Sequence, residues 1–306
     1  MFAFITITYN HEKYIIEHLE SIKYQIETHS LADVFLIICD DCSTDHTVEL
    51  ISRWTIRNES LFLNVKIMKS EVNKGIVSNY IRAVNEIPCE KFKILAGDDL
   101  YYKHNISNAL DGNDFLSSPV IKFSEEGFVM PLWFEQKSID SLDKLKKKLK
   151  KGNPLVAPGI FTSKQLIHDK QLLDFIGEYK WIEDYPTWHY IFIKNNKKVK
   201  YAVSYKPYIL YRFSVGIFGS KTDTSNFKTM FLLEENKMLK ELGVKKSSHT
   251  NKFLSISNYY NRLVRLFDDC LRLSKNLSKE HDFLHQDVSH YYNTIKENAV
   301  RFLNDL

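Results

Sequence analysis

The chain has 306 residues, of which 44% are hydrophobic and 26% charged, and its formal net charge is +4. This composition is typical of a globular protein with a sizeable core, and so small a charge does not favour nucleic-acid binding. No apolar run reaches the ~18 residues that a membrane span needs, and Met1–Ile7 has no basic leader. The four cysteines suit a reducing compartment better than a disulfide framework, so we expect a cytoplasmic location.

The first hundred residues alternate between short β-prone runs and helical patterns. Four apolar runs predict buried strands, at residues 2–7, 34–39, 65–68 and 92–95. Apolar residues at helical spacing separate them, starting near Ile15, Val48 and Ile76. This alternation predicts an α/β fold with a mostly parallel sheet flanked by helices.

Three polar clusters follow these strands or begin the helices, at residues 40–45, 73–79 and 97–99. Ligands of such sheets bind at the carboxyl ends of the strands. We therefore expect the three clusters to converge on one cleft.

The remainder of the chain is less regular. The pattern predicts helices over residues 143–151 and 163–176, and strands or a helix–strand pair over 191–193 and 199–211. From about residue 226 it is helical, and one predicted helix is marked by Leu263, Leu266, Cys270 and Leu273.

Asp98 and Asp99 are adjacent carboxylates at the end of a predicted strand. Two neighbouring charges of one sign are costly to hold together unless a cation or hydrogen-bond donors neutralise them. Oxygen ligands suit Mg²⁺ or Mn²⁺, which also bridge diphosphate oxygens. The alternative is a solvated Gly-Asp-Asp turn.

Asp40 and Asp41 also follow a buried strand and lead into a helix. A carboxylate at this position can accept a hydrogen bond from a nucleobase N–H, although the same residues also suit a turn with helix caps. Cys39 and Cys42 match a C-x-x-C spacing, but no second ligand pair or redox setting accompanies them, so we interpret the match as coincidence.

Three further features are weaker signals. In the segment Asn73-Lys74-Gly75, with Asn79 one turn on, the glycine permits a tight turn and Lys74 can face a phosphate. Glu183 and Asp184 form a carboxylate pair with aromatic neighbours, which suits sugar binding or marks a helix N-terminus. Arg212 ends a β-prone run and is either a diphosphate partner or a surface ion pair.

Taken together and in order, six segments resemble the GT-A-fold glycosyltransferases of the large family 2. They are residues 5–11, 40–45, 73–75 with Asn79, 95–99, 183–186 and the pair Tyr211-Arg212. The resemblance covers about residues 1 to 220. It implies a Rossmann-like GT-A sheet divided into a nucleotide-sugar-binding half, 1–110, and an acceptor-binding half, 111–220, followed by a helical C-terminal region, 221–306.

The resemblance also implies roles for individual residues. Thr8, Tyr9 and Asn10, with Asp41, occupy the nucleobase-binding positions, and Asp98 lies near the ribose and diphosphate. Asp99, with Asp98, is expected to bind Mn²⁺ or Mg²⁺. Asp184 is expected to be the general base of the Glu183-Asp184 motif. Lys74, Asn79 and Arg212 are expected on the donor side.

This sequence departs from the family pattern at two positions. Gly97 occupies the first position of the D-x-D region, and we still expect metal dependence. Ser214 stands where many members have a histidine, so a histidine contact to metal or diphosphate is in question, and Arg212 or Lys221 can substitute for it.

The expected activity is transfer of a hexose-type sugar, with inversion, from a nucleotide-sugar donor to a hydroxyl of a glycan or lipid-linked oligosaccharide. A UDP-sugar is the favoured donor and dTDP-rhamnose the alternative. The expected setting is bacterial capsule, O-antigen or lipooligosaccharide synthesis. A catalytically inactive glycan-binding protein is a competing hypothesis, which the retained aspartates disfavour. A nucleotidyltransferase is disfavoured because Thr8–His11 contain no glycine.

Six lysines lie between Lys144 and Lys151, with Leu145 and Leu149 on one side of the predicted helix. A charge run of this kind is usually a solvated helix face. The alternative is peripheral contact with anionic lipid at the inner face of the membrane, or with a lipid-linked diphosphate acceptor. The C-terminal helices can add an apolar face or join two subunits as a homodimer.

Overall fold

The computed structural model describes residues 1–125, 129–131, 134–213, 225–244 and 284–306. The strands in these ranges are β1 Phe2–Thr8, β2 Val34–Asp40, β3 Asn64–Lys69, β4 Phe92–Ala96, β5 Leu100–Tyr101, β6 Phe115–Ser117, β7 Val120–Phe123, β8 Val129–Pro131, β9 Ile160–Thr162, β10 Tyr201–Val203 and β11 Ile209–Arg212. The helices are α1 Ile15–His29, α2 Thr47–Arg57, α3 Ile76–Asn85, α4 Phe134–Ser138, α5 Leu142–Leu149, α6 Lys164–Ile167, α7 Lys170–Ile176, α8 Asp184–His189, α9 Ser225–Glu241 and α10, residues 284–304.

A four-stranded parallel sheet forms the centre of the fold, in the order β3-β2-β1-β4. The strands β1 and β2 are buried along almost their whole length, which is why their sequences are continuous apolar runs rather than alternating ones. All four strands predicted for the first hundred residues are confirmed, as are the helices between them. The carboxyl ends of β1, β2 and β4 therefore lie side by side.

Two smaller mixed sheets follow. One has the order β10-β6-β9 and the other β5-β11-β7-β8. The second sheet is important for the site because β5 begins directly after Asp99 and pairs with β11, which ends at Arg212. Residues 98–99 and Arg212 are thus brought together from positions more than a hundred residues apart.

The structure differs from the predicted elements at two places. The helix predicted over 163–176 is two helices, α6 and α7, because Asp169 caps a new helix by accepting the backbone N–H groups of Gln171 and Leu172. The apolar run at 191–193 is a π-helical turn, Tyr190–Lys194, that continues α8, so the strand alternative there was wrong. The predicted helix marked by Leu263 to Leu273 lies outside the described residues.

The C-terminal helix α10 packs on the first half of the chain. Its buried residues Val288, Tyr291, Tyr292 and Ile295 join a core cluster with residues of β5, β7 and β11. Asp287 binds Lys103 Nζ at 2.6 Å, which adds an ion pair to the apolar contact. In the described part of the chain, no helix combines the length and the apolar character needed to cross a bilayer.

Candidate active site at the carboxyl edge of the sheet

The loop after β1 is tied to the loop after β2. Asn10, in the left-handed region at φ 53°, donates its N–H to Ser43 Oγ at 2.8 Å and accepts Thr44 N–H on its Oδ1 at 2.9 Å. Asp40 is buried and accepts hydrogen bonds from the N–H and hydroxyl of Ser43. Asn10 and Asp40 therefore fix this edge of the cleft, while the ring of Tyr9 beside them is 42% exposed.

Asp41 organises the loop that begins α3. Its carboxylate oxygens accept the N–H groups of Lys74 at 3.0 Å and Gly75 at 2.8 Å. Its own N–H donates to the carbonyl of Thr8 at 2.9 Å. Each carboxylate oxygen has a second lone pair, so Asp41 remains able to accept a further N–H from a ligand. The side chain of Lys74 is exposed.

Gly75 joins this loop to the segment that precedes Glu183. It has φ 91°, and a Cβ there would lie 2.9 Å from both the carbonyl oxygen and the Cγ of Lys180, so a side chain is excluded on two counts. The N–H of Val77 donates to the same carbonyl at 3.4 Å. The Asp41 loop is therefore in direct contact with Lys180, in the segment that precedes α8.

Asn79 does not face the cleft. Its amide donates to the carbonyl of Cys39 at 2.8 Å and accepts from Arg82 at 2.7 Å. Arg82 also donates to the carbonyl of Asp40 at 2.7 Å and to Ser70 Oγ, so it fastens the ends of β2 and β3. Both polar groups of Asn79 are engaged inside the protein, and the donor contact predicted for it is replaced by a supporting role.

Two polar atoms face Gly97 at the end of β4. A Cβ on Gly97 would lie 3.0 Å from His11 Nδ1 and 3.2 Å from Thr8 Oγ1. Both atoms are buried, and neither finds a hydrogen-bond partner among the described residues. Buried polar groups are nearly always hydrogen-bonded, so this pair is an exception at the edge of the cleft. A side chain at position 97 would crowd it.

Asp98 and Asp99 differ in environment. Asp98 is half-buried, whereas Asp99 is 2% exposed, and one oxygen of Asp99 accepts the N–H of Arg212 at 2.9 Å. Burial and the neighbouring Asp98 raise the pKa of Asp99 well above its usual range. The residue predicted as the principal metal ligand is thus turned into the protein, and Asp98 is the carboxylate that remains accessible.

The buried side chain of His18 binds the main chain at Asp99. The ring Nδ1 lies 2.6 Å from the carbonyl of Asp99, and Nε2 lies 2.8 Å from Thr6 Oγ1. Because a carbonyl only accepts, Nδ1 carries the proton and Thr6 donates to Nε2. Burial lowers the pKa of His18 to about 4, so this histidine is a neutral support.

Arg212 is a buried support and not a surface residue. Its Nε donates to the carbonyl of Asp98 at 2.9 Å, and its Nη2 pairs with Glu17 Oε2 at 2.5 Å. The guanidinium also lies 4.6 Å from the ring centres of Tyr14 and Phe123. Because the side chain is 0% exposed, it cannot reach a diphosphate without leaving these partners, and both roles predicted for it give way to this one.

Glu183 and Asp184 form the second half of the site, at the start of α8. Asp184 accepts hydrogen bonds from Asn153 Nδ2 and from the N–H of Tyr185, both at 2.6 Å. Desolvation raises the pKa of Asp184, and desolvation followed by the charge of Asp184 raises the pKa of Glu183 to about 8. The charges of both carboxylates add to the effect of burial in raising the pKa of Tyr80 on α3. The pair therefore lies near α3, the helix that follows Gly75.

The residues present fit a divalent cation that is shared with a diphosphate. Among the residues that the structure describes, no group of three His, Cys, Asp or Glu side chains is arranged to hold a metal. Mg²⁺ usually binds through one or two carboxylates plus substrate phosphates and water, and the accessible carboxylate of Asp98 meets that requirement.

Comparison with known proteins agrees with this geometry. The model of the family described as Glycosyl transferase family 2 matches residues 3–127. Over these residues the chain is similar to the family 2 glycosyltransferases. That range contains β1 to β4 and the clusters around Asp41 and Asp98.

Two curated relatives are bacterial transferases. The dTDP-rhamnosyl transferase RfbG of Shigella flexneri is 33% identical over 109 residues, which are 34% of this chain and 35% of the relative. The poly(ribitol-phosphate) beta-N-acetylglucosaminyltransferase TarS of Staphylococcus aureus is 39% identical over 74 residues, which are 24% of this chain and 12% of the relative. The chain therefore spans only about a third of one relative and an eighth of the other.

Solved structures show the fold. TarS residues 1–349 in complex with UDP has a TM-score of 0.54 and 21% identity, covering 98% of this chain and 91% of that one. The mannosyltransferase PcManGT from Pyrobaculum calidifontis, with GDP-Man and Mn²⁺, has a TM-score of 0.50 and 14% identity, covering 99% and 87%. The predicted GT-A fold, a mostly parallel sheet flanked by helices with a helical C-terminal part, is confirmed.

Sequence reasoning missed several residues of the site. Asn153 follows the lysine-rich helix and precedes a proline, a pattern that indicates a turn and nothing more. His11 lies inside a segment that resembles the family but carried no signal of its own. Glu17 and Tyr292 act through Arg212, and no local pattern connects them. Ser214 and Lys221 lie outside the described residues.

Proposed function

We propose that this protein is a metal-dependent, inverting glycosyltransferase that moves a hexose-type sugar from a pyrimidine nucleotide-sugar to a glycan hydroxyl. The observation that carries the proposal is the edge around Gly97. Thr8 Oγ1 and His11 Nδ1 are buried there without partners among the described residues, and Gly97 immediately precedes the half-buried Asp98. A diphosphate with its cation would satisfy all three groups.

The nucleobase would bind beside Asp41 and Tyr9. Uracil and thymine share an N3–H that a carboxylate can accept, and the free lone pairs of Asp41 suit that contact. The exposed ring of Tyr9 offers a face for stacking. Asp41 also fixes the backbone of Lys74 and Gly75, so base binding and loop position depend on the same carboxylate.

The metal site would centre on Asp98, with Asp99 supporting it from behind. When bound, Mn²⁺ or Mg²⁺ neutralises charge on the departing diphosphate. Thr8 and His11 would donate to, or accept from, polar groups of the same donor. Lys74 has an exposed side chain at the entrance and can attract the anionic donor.

Asp184 would act as the general base. Asn153 and the N–H of Tyr185 hold its carboxylate in one orientation, and partial burial raises its pKa. It would take the proton of the acceptor hydroxyl as that oxygen attacks the anomeric carbon, while the bond to the diphosphate breaks on the opposite face. A single displacement inverts the anomeric centre. Glu183 lies beside Asp184 at the start of α8, and the charge of Asp184 helps to raise the pKa of Glu183 to about 8.

The donor would carry UDP or dTDP. The TarS structure contains UDP and the name of RfbG specifies dTDP-rhamnose, so both donors in our proposal have a counterpart among the proteins that this chain resembles. A UDP-hexose or UDP-GlcNAc is the first candidate and dTDP-rhamnose the second. The acceptor would be a bacterial surface glycan or its lipid-linked precursor, in capsule, O-antigen or lipooligosaccharide synthesis.

A screen of nucleotide-sugars tests the proposal. The full chain is incubated with UDP-hexoses, UDP-GlcNAc, dTDP-rhamnose and, as a purine control, GDP-mannose, and the released nucleoside diphosphate is measured with Mn²⁺ and with EDTA. We expect metal-dependent release from one pyrimidine donor. Donor binding by calorimetry without release, even with glycan acceptors added, would favour the inactive glycan-binding alternative.

The lysine-rich helix α5 would carry peripheral contact with anionic lipid or with a lipid-linked diphosphate acceptor. Leu145 and Leu149 are buried, so the lysines point outwards. Lys146 Nζ binds Asn196 Oδ1 at 2.6 Å, which joins α5 to a second lysine-rich stretch, residues 194–200. This surface lies on the acceptor side, because Asn153 follows α5 and binds Asp184. An inner-membrane location and a homodimer through the C-terminal helices stay predictions.

A further inference from the structure

The C-terminal helix α10 reaches the donor site through one side chain. The hydroxyl of Tyr292 lies 3.3 Å from Glu17 Oε1 and 3.4 Å from Arg212 Nη1, and all three residues are buried. Arg212 in turn holds Asp98 and Asp99, through its Nε and its N–H. A continuous set of hydrogen bonds therefore connects α10 with the carboxylate that we assign to the metal.

We propose that Tyr292 and Arg212 are positioning residues for Asp98, so that α10 is a functional part of the donor site. This inference rests on the proposed function, because Asp98 is given its role there. Neither side chain touches the donor. Both act by fixing the main chain from which the carboxylate of Asp98 projects.

The packing explains why Tyr292 is decisive for Arg212. The guanidinium is surrounded by the rings of Tyr14, Phe123 and Tyr292, at 4.6, 4.6 and 5.6 Å from their centres. Phe123 and Tyr292 also pack edge-to-face with ring centres 5.1 Å apart. A buried cation needs both charge compensation and hydrogen bonds, and the hydroxyl of Tyr292 contacts both Arg212 and its counter-ion Glu17.

Arg212 is one of several groups that hold the main chain of the loop at Asp98. The N–H of Gly97 donates to the carbonyl of Ile7 at 3.0 Å, and His18 binds the carbonyl of Asp99. These contacts fix the ends of the segment. The peptide that joins Asp98 to Asp99 is held at its N–H by the carbonyl of Ala96 at 3.2 Å and at its carbonyl by Arg212, so a rotated guanidinium would remove one of its two hydrogen bonds.

The neighbouring residue Tyr291 provides a matched control. It lies on the same helix, is equally buried, and donates its hydroxyl to the carbonyl of Tyr101. It does not contact Arg212 or Glu17 in the described structure. Tyr291→Phe and Tyr292→Phe therefore remove the same group from the same helix, and only the second reaches the Asp98 support.

The test measures UDP binding in the presence of Mn²⁺ by calorimetry, together with the Tm, for wild type, Tyr291→Phe and Tyr292→Phe. We expect Tyr292→Phe to weaken metal-dependent UDP binding by about two- to tenfold, the range for losing one hydrogen bond, while Tyr291→Phe leaves it unchanged. Both variants should lower the Tm. Arg212→Lys, which keeps the charge but cannot bridge these partners, should weaken binding at least as much as Tyr292→Phe.

Equal UDP affinity in wild type and Tyr292→Phe would overturn the inference, and so would equal losses in the two tyrosine variants. Either result would reduce α10 to a general stabilising element. If wild type itself does not bind any pyrimidine nucleotide with metal, the proposed function fails, which is a different outcome from failure of the positioning role. Glu17→Gln gives a second route, since it keeps the shape of the site while removing the nearer of the two carboxylates beside Arg212, the other being Glu125 at 3.8 Å.

Discussion

The two sides of the candidate site use carboxylates in opposite ways. On the donor side, Asp40, Asp41 and Asp99 accept main-chain N–H groups and so fix the loops at the ends of the strands. On the acceptor side, Glu183 and Asp184 sit together at the start of α8 with raised pKa values. The first group fixes the loops, although the pKa of Asp99 is raised as well, and the second group is a desolvated pair of neighbouring carboxyls.

This difference assigns separate tasks to the two halves of the cleft. Carboxylates held by backbone donors are suited to binding, because they stay in one place and can receive a cation or an N–H on their remaining lone pairs. Carboxylates that are desolvated beside each other are suited to proton transfer near neutral pH. Changes on the two sides should therefore separate donor binding from turnover.

The largest expected effect is on the acceptor side. Asp184→Asn removes the base and should lower turnover by roughly 10²-fold or more, with the donor KM little changed. Steady-state release of nucleoside diphosphate in the presence of acceptor measures this. Asp174→Asn, an exposed residue of α7 paired only with Lys170 among its described charge partners, is the control and should behave as wild type. Near-normal turnover of Asp184→Asn would point to Glu183 as the base.

The next effect is on the metal. Asp98→Asn should raise the Mn²⁺ concentration needed for half-maximal activity by about tenfold or more, because it removes the accessible ligand. Asp99→Asn should lower stability, since the buried group receives the N–H of Arg212, and should change the metal requirement less. A metal titration of both variants checks the order. A larger increase in the metal requirement for Asp99→Asn than for Asp98→Asn would indicate that Asp99 is the metal ligand.

A smaller effect is expected at the nucleobase position. Asp41→Asn should raise the donor KM by about tenfold and leave kcat nearly unchanged, because a charge-assisted hydrogen bond to the base contributes to ground-state binding. Asparagine keeps an acceptor oxygen for one loop N–H but loses the charge. A kcat effect at constant KM would show that Asp41 does not bind the base.

Glu183→Gln should act through pH. Desolvation and the charge of Asp184 raise the pKa of Glu183 to about 8. Between the ordinary glutamate value of 4.5 and about 8, the folded protein binds a proton that the unfolded chain has lost, so stability should fall as pH rises through this window. In Glu183→Gln, the free energy of unfolding should fall less as the pH rises. The decrease in rate at low pH, which we assign to protonation of Asp184, should remain in the pH–rate profile. An unchanged slope in denaturant unfolding across pH would contradict it.

The smallest effect concerns the lysine surface. Changing Lys144, Lys147, Lys150 and Lys151 to Gln should lower co-sedimentation with anionic vesicles, by up to about 1 kcal/mol per lysine before screening by salt. Activity on a short soluble acceptor should persist, because these lysines are not part of the proposed catalytic pair, Glu183 and Asp184. Equal vesicle binding by wild type and variant at low and high salt would leave α5 as a solvated face.

The sequence predicted the elements and the edge of the sheet because both depend on short-range patterns. Buried parallel strands are apolar runs, so β1, β2 and β4 and the polar residues after them could be located from the sequence alone. The pair Glu183-Asp184 was found in the same way. Each of these patterns lies within a few neighbouring residues, so it can be recognised without knowledge of the tertiary contacts.

The choice between Asp98 and Asp99 could not be made from the sequence. It depends on which of two adjacent side chains turns inwards, and this is decided by the pairing of β5 with β11, which brings the N–H of Arg212 to Asp99. The burial of Arg212 depends in turn on Glu17 and Tyr292, which are 195 and 80 positions away. Contacts at such separations leave no periodic trace in the chain.

The most direct measurement is calorimetric titration of UDP with Mn²⁺ into Asp98→Asn and Asp184→Asn side by side, with dTDP as a second ligand. The division of tasks predicts that Asp184→Asn binds the nucleotide as tightly as wild type, and that Asp98→Asn loses most of the metal-dependent part of the affinity. If Asp184→Asn lost nucleotide binding while Asp98→Asn retained it, the assignment of the two sides would be contradicted.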